Sequence, residues 1–130
     1  MPPRLAKEVE ILQQHYPGLA FADDGYWIHI PAYPLPIGWN RPSTNVAMQV
    51  PAGYPGTPPY GFCVPSDIRF GGATPGWQRP AQNKPPFSGE WAFISWAVDG
   101  QWAVPKVDFI GGANLLSFAQ SFADRFAQGA

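Results

Sequence analysis

The stretch Tyr54-Pro55-Gly56-Thr57-Pro58-Pro59 stands between two strand-like runs, Val46–Val50 before it and Tyr60–Val64 after it. Its prolines fix φ and remove backbone donors, so this segment suits an ordered connection and not a helix interior or a central strand. Working outward, Asn45–Val50 reads as a third strand and Phe62–Val64 as a short fourth. The first two strands are Leu19–Ala22 and Tyr26–Ile30, on either side of the hairpin signal Asp23-Asp24-Gly25. Between the second and third strands runs the loop Pro31–Thr44, with Pro34, Pro36 and Gly38-Trp39-Asn40. Before all of them, Pro3–Tyr16 carries Leu5, Val9 and Leu12 at helical spacing and is stopped by Pro17-Gly18.

Downstream, Pro65–Gly89 is broken by Gly71-Gly72, Pro75-Gly76, Pro80 and Pro85-Pro86, which predicts a long irregular loop with Trp77 and Phe87 packed back onto the domain. Trp91–Val98 and Gln101–Val104 flank Asp99-Gly100, either a hairpin or a tight turn between short elements. In Ala113–Gln128 the residues Leu115, Phe118, Phe122 and Phe126 recur at helical spacing and predict a terminal helix. The expected fold is α+β: one domain over residues 1–130, a four-stranded antiparallel meander flanked by an N-terminal and a C-terminal helix.

Composition narrows the function classes. The chain has 130 residues, 45% of them hydrophobic, which supports one core and is too short for two. Only 13% are charged, the net charge is -1 and no Lys/Arg cluster occurs, so nucleic acid and anionic membrane are not the expected partners. No apolar run approaches the roughly 20 residues of a bilayer span, and Met1-Pro2-Pro3-Arg4-Leu5 does not start a signal peptide; the expected location is cytoplasmic. A single cysteine excludes an internal disulfide and a thiolate metal cluster, and no His/Asp/Glu group has ligand spacing, so neither a metal nor a cofactor is expected. The 17 prolines and 14 glycines fall between apolar segments and form no repeat, as ordered loops on a compact fold require.

The order helix, strands, Tyr-Pro-x-x-Pro-Pro, strand, long loop, Trp-x-x-Pro, helix resembles the ubiquitin-conjugating (UBC) enzyme family over nearly the whole chain. The similarity extends to a bacterial branch found beside ubiquitin-like modifiers, activating enzymes and deconjugating peptidases. Its motifs correspond to Leu35-Pro36-Ile37-Gly38-Trp39-Asn40, Gly53-Tyr54-Pro55, Trp91 with Ile94-Ser95-Trp96-Ala97, and Trp102-Ala103-Val104-Pro105. The resemblance marks Tyr54, Pro55, Pro58, Pro59, Trp102 and Pro105 as the structural motif. It implies a UBC-like fold, a ubiquitin-like protein and an activating enzyme as partners, and transfer of the modifier's C-terminus.

The chain departs from the family at the reaction centre. The family's His-Pro-Asn after the fourth strand, and the cysteine that follows it, are missing from their usual place. Cys63 lies within a few residues of Pro58-Pro59, in the fourth strand, where its plain reading is a buried strand residue and its chemical reading an acceptor thiol. Counting back from Trp102, the nucleophile position falls at Ile94 or Ser95, which makes Ser95 the first candidate to carry a modifier as an oxyester. Its plain reading is an ordinary strand or turn serine. A serine hydroxyl needs a base or strong orientation, and Ala97 stands where the branch has a histidine. His15 lies on the first helix and His29 on a half-buried strand with Trp27, a structural arrangement. Asp99 reads as a turn residue, Asp108 as a cap or turn residue, and Asp124 as solvated on the last helix. Trp39, Trp77, Trp91, Trp96 and Trp102 read as loop-packing anchors or as a sugar- or proline-binding platform. Three functions therefore stand: a modifier transferase acting through Ser95 or Cys63, a non-catalytic UBC-like adaptor, and an unrelated proline- and aromatic-rich binding module.

Overall fold

Leu5, Val9 and Leu12 do form one stripe of a helix, and the same stripe includes Glu8, three residues after Leu5. This helix, α1, spans Pro3–His15, with Pro3 at a position where a missing N–H costs nothing. The computed structural model describes residues 3–54, 57, 59–73, 79–80, 84–97 and 114–129. After α1 come β1 (Ala20–Ala22), β2 (Trp27–Pro34), β3 (Ser43–Gln49), β4 (Phe62–Pro65), β5 (Arg79–Pro80) and β6 (Trp91–Ile94), and then the helix α2 (Leu115–Ala127).

The strands make one antiparallel sheet in the order β1-β2-β3-β4-β6-β5. The expected four-strand meander is present as β1 to β4, but the sheet does not stop there. Trp91–Ile94 pairs with β4, giving a fifth strand, and the two residues of β5 pair with its far edge. The sequence offers a hairpin or a tight turn between Trp91–Val98 and Gln101–Val104; what the structure shows is that Trp91–Ile94 pairs along β4. Residues 101–104 lie outside the described residues, as do Pro55, Pro58, Trp77, Asp99, Trp102, Pro105 and Asp108.

Both helices lie on one face of the sheet. A single buried cluster joins them to the alternate strand residues Ile28, Ile30, Val46, Met48, Phe62, Val64 and Ile94. Phe62 stacks on Phe122 with ring centroids 3.9 Å apart, and Phe118 meets Phe122 edge-on at 5.1 Å. Each such fully buried aromatic contributes about 1.5–3 kcal/mol.

Helix α2 is also gripped by its backbone. A bulge between Ile30 and Tyr33, with Ala32 at φ 55° and Pro31 offering no donor, breaks the alternation of β2 and turns Tyr33 to the helix face. The Tyr33 hydroxyl then donates to the Ala119 carbonyl at 2.6 Å. Trp39 Nε1 donates to the Phe126 carbonyl at 3.1 Å, and its own loop is clamped because Asn40 exchanges hydrogen bonds with Asp67 and Arg69. Trp39, Trp91 and Trp96 are thus packing anchors. At the other end, Asn114 caps α2 in a capping box with Ser117; Asp108, which the sequence offers as a cap or turn residue, lies outside the described residues.

Glu8 closes this framework. It is 2% exposed, and its carboxylate accepts from Tyr54 Oη at 2.6 Å, from the Leu115 N–H at 2.8 Å and from Arg4 Nε at 2.9 Å. One side chain of α1 therefore holds the Tyr54 turn and the start of α2, where the helix dipole favours a negative charge. Hydrogen bonds to a charged group contribute about 1.5–3 kcal/mol, so Tyr54→Phe should lower stability by that amount. Glu8→Ala removes the acceptor of all three donors and should cost about 3–5 kcal/mol. In urea denaturation, the Tyr54→Phe effect should nearly vanish in a Glu8→Ala background; full additivity of the two losses would show that the contacts are independent.

Candidate functional site

The sheet face opposite the helices carries the residues of the other parity. Antiparallel registers align one residue from each strand in a transverse row: Ala20, His29, Ala47, Cys63, Phe93 and Arg79. Cross-strand partners share a face, so these side chains stand side by side. Trp27, Ala47, Cys63 and Trp91 form a second, smaller buried cluster, with Phe87 and Phe93 against it. Phe87 folds back as expected, its ring 4.9 Å from that of His29. His29 is half-buried here, and burial lowers its pKa, so it serves as a packed neutral ring.

Ala47 and Cys63 are short, and where the row is shallow a groove of about 790 Å³ opens, with Trp27, Gln49, Tyr60, Gly61, Arg79, Phe93 and Ser95 among its walls. Gly61 shapes it. At φ 72° an added Cβ would fall 2.1 Å from Phe93 Cζ, so only glycine lets the Phe93 ring lie across the chain, 6.3 Å from Tyr60.

The fold brings the two candidate nucleophiles, Cys63 and Ser95, to the same groove and gives them opposite surroundings. Cys63 lies in the floor, 2% exposed, and burial pushes its thiol up to about 12. That is the setting of a structural cysteine, since the thiolate is the reactive form. Ser95 is exposed on the rim directly after β6. Its neighbours fix it: Ile94 is in the core, the Gly61 N–H donates to the Trp96 carbonyl at 2.7 Å, and Trp96 Nε1 donates to Ser121 Oγ at 2.9 Å. Among the described residues no His, Asp or Glu lines the groove, so none is placed there as a base for Ser95. Asp124 is exposed on α2, as expected, and His15 is exposed at the end of α1. Of the motif, Tyr54 is bonded to Glu8 and packs against the helix-side core, and Pro59 is buried.

Arg79 and Gln49 are among the groove residues that the sequence does not single out. Arg79 sits in a proline-rich stretch whose pairing with β6 has no periodic signal, and Gln49 gains its place only from register. Among the described residues no group of His, Cys, Asp and Glu could hold a metal ion, and no helix is long and apolar enough to cross a membrane. No family model, curated protein or solved structure matches the chain.

The buried thiol and phenols give a pH signature. Burial raises Cys63, Tyr16, Tyr33 and Tyr54, Tyr54 also through its bond to Glu8. Each holds its proton more tightly in the fold than in the unfolded chain, so this stability is complete below the unfolded pKa and is lost as pH rises toward the folded one. Urea denaturation should show a decline beginning near pH 9, where an unfolded thiol first ionises. Cys63→Ala should cost about 1 kcal/mol at neutral pH and delay the decline to the tyrosine range. A native thiol that reacts with iodoacetamide at pH 8 as fast as the unfolded one would contradict the burial of Cys63.

Proposed function

We propose that the chain is a UBC-like component of a bacterial ubiquitin-like modifier pathway and that its groove holds the C-terminal segment of the modifier. The observation that carries the reading is the groove itself: an open, mainly apolar channel on the face away from both helices, with Ser95 on its rim and Cys63 in its floor. The motif order and the α+β arrangement of helix, meander and helix support the link to the UBC family. Binding is the part of the activity for which the groove is equipped. A buried thiol and a serine with no base beside it among the described residues favour an adaptor that engages the modifier or its activating enzyme without a covalent step.

A second reading is favoured by the exposure of Ser95. In it, the Ser95 oxygen attacks the thioester carbonyl on the activating enzyme, an ester forms, and the enzyme's thiolate leaves and takes up the hydroxyl proton. Incubation with a bacterial activating enzyme, ATP and its ubiquitin-like modifier distinguishes the two. The adaptor is expected to bind the modifier or the activating enzyme equally well as wild type and as Ser95→Ala, with no adduct. An adduct that resists thiol reductant, is cleaved by hydroxylamine, and is lost in Ser95→Ala would establish transfer instead. An adduct cleaved by reductant and lost in Cys63→Ala would assign transfer to the thiol. Absence of both binding and adduct would leave the unrelated binding module.

A further inference from the structure

Among the described residues two large apolar side chains stand exposed, Ile37 at 101% and Tyr60 at 60%, and they lie at opposite ends of the sheet. Tyr60 belongs to the groove, together with Trp27 and Gln49, which pair across β2 and β3. Ile37 lies past the far end of the same two strands, beyond the pair Pro34 and Ser43. The eight residues of β2 put roughly 20–25 Å between the two ends. The tip that carries Ile37 is held rigidly. The Leu35 N–H donates to the Pro42 carbonyl at 2.9 Å, the Gly71 N–H donates to the Gly38 carbonyl at 2.8 Å, and Trp39 is buried with its ring 5.1 Å from that of Phe70. Gly38 has φ 112°, and an added Cβ would fall 2.6 Å from Phe70 Cε2, so only glycine lets the tip close over that ring. Pro36, also exposed, has its φ fixed by its own ring. A pinned loop of this kind loses little conformational freedom when it binds.

We propose that the Pro36-Ile37 tip of one molecule seats in the groove of a second copy of the chain. The two surfaces match in chemistry: Leu35-Pro36-Ile37-Gly38 carries no charge, and the groove meets it with Trp27, Tyr60 and Phe93 above the short floor residues Ala47 and Cys63. Grooves lined by aromatic rings are suited to proline-bearing segments, whose restricted backbone has little freedom to lose. The groove, at about 790 Å³, has room for both side chains, and seating them removes from water an isoleucine that the fold leaves fully exposed. Because tip and groove sit at opposite ends of the sheet, the contact is heterologous: each molecule offers its tip to one neighbour and its groove to another, and copies line up head to tail. A loop tip in a groove buries less than a standard interface, so a single contact is weak, with Kd on the order of 0.1–1 mM. The inference uses only surfaces of this chain and stands apart from the modifier reading; a seated tip excludes any other occupant from the same groove.

Sedimentation equilibrium of the intact chain from about 0.02 to 1 mM tests the contact. The weight-average mass of the wild type should climb with concentration and pass that of a dimer. Ile37→Glu and Tyr60→Glu should each weaken association about tenfold or more, whereas Ile37→Leu, which keeps an aliphatic tip, should retain it. Both changed sites are exposed, so urea denaturation of the two Glu variants should match the wild type. Mixed in equal amounts, Ile37→Glu supplies an intact groove and Tyr60→Glu an intact tip, so the mixture should form a heterodimer and stop there. A wild type that stays monomeric to millimolar concentration, association that survives Ile37→Glu, or a mixture that forms no heterodimer would overturn the proposal. A wild type that stops at a closed dimer would overturn the head-to-tail arrangement. Cosedimentation with phosphatidylcholine vesicles that is lost in Ile37→Glu, without self-association, would assign the tip to a lipid surface and overturn the proposal as well.

Discussion

A carboxylate inside an apolar core is costly unless its charge is met, and Glu8 is met three times over. Its partners are far apart in sequence, Tyr54 at 46 residues and Leu115 at 107. Neither helix can take its place on the sheet without the other end of this cluster being assembled, because the charge is tolerable only when the donors have arrived. The Tyr54 turn is thereby fixed between β3 and β4, and the adjoining wall of the groove with it.

The two faces of the sheet divide the work. One is covered by α1 and α2 and holds the large aromatic core; the other carries, among the described residues, a smaller buried cluster and the groove. Because Tyr33 and Trp39 grip α2 through its carbonyls, the helix is fastened from the sheet side. Ser95 gains its fixed position indirectly, through Trp96 and Ser121 on that fastened helix. An exposed residue with a rigid setting is what a binding rim requires.

Much of the fold was legible in the chain because periodicity alone specifies it. The stripe Leu5, Val9, Leu12 and the run Leu115, Phe118, Phe122, Phe126 gave both helices, and the Asp-Gly turn and proline segment bounded the meander. Pairings made across long separations were not legible. Nothing local in Trp91–Ile94 announces its pairing with β4, which lies more than two dozen residues upstream in the chain. Glu8 had a visible signal, its place on the apolar stripe four residues after Arg4, but charge normally argues for solvent and hid it. Of the site, Ser95 and Cys63 were legible as residues, and their meeting in one groove was not, since it depends on the pairing of β4 with β6.

The transverse row from Ala20 to Arg79 ties the groove to the register of the strands. Strand β4 has Phe62 and Val64 on either side of Cys63, so a slip by one residue would put a larger side chain over Ala47 and fill the channel. Misregistered molecules would therefore be silent: a chain that has paired wrongly loses its cleft and does not present an altered one. The shape of this one surface is therefore tied to four strand pairings at once, those that join β2, β3, β4, β6 and β5.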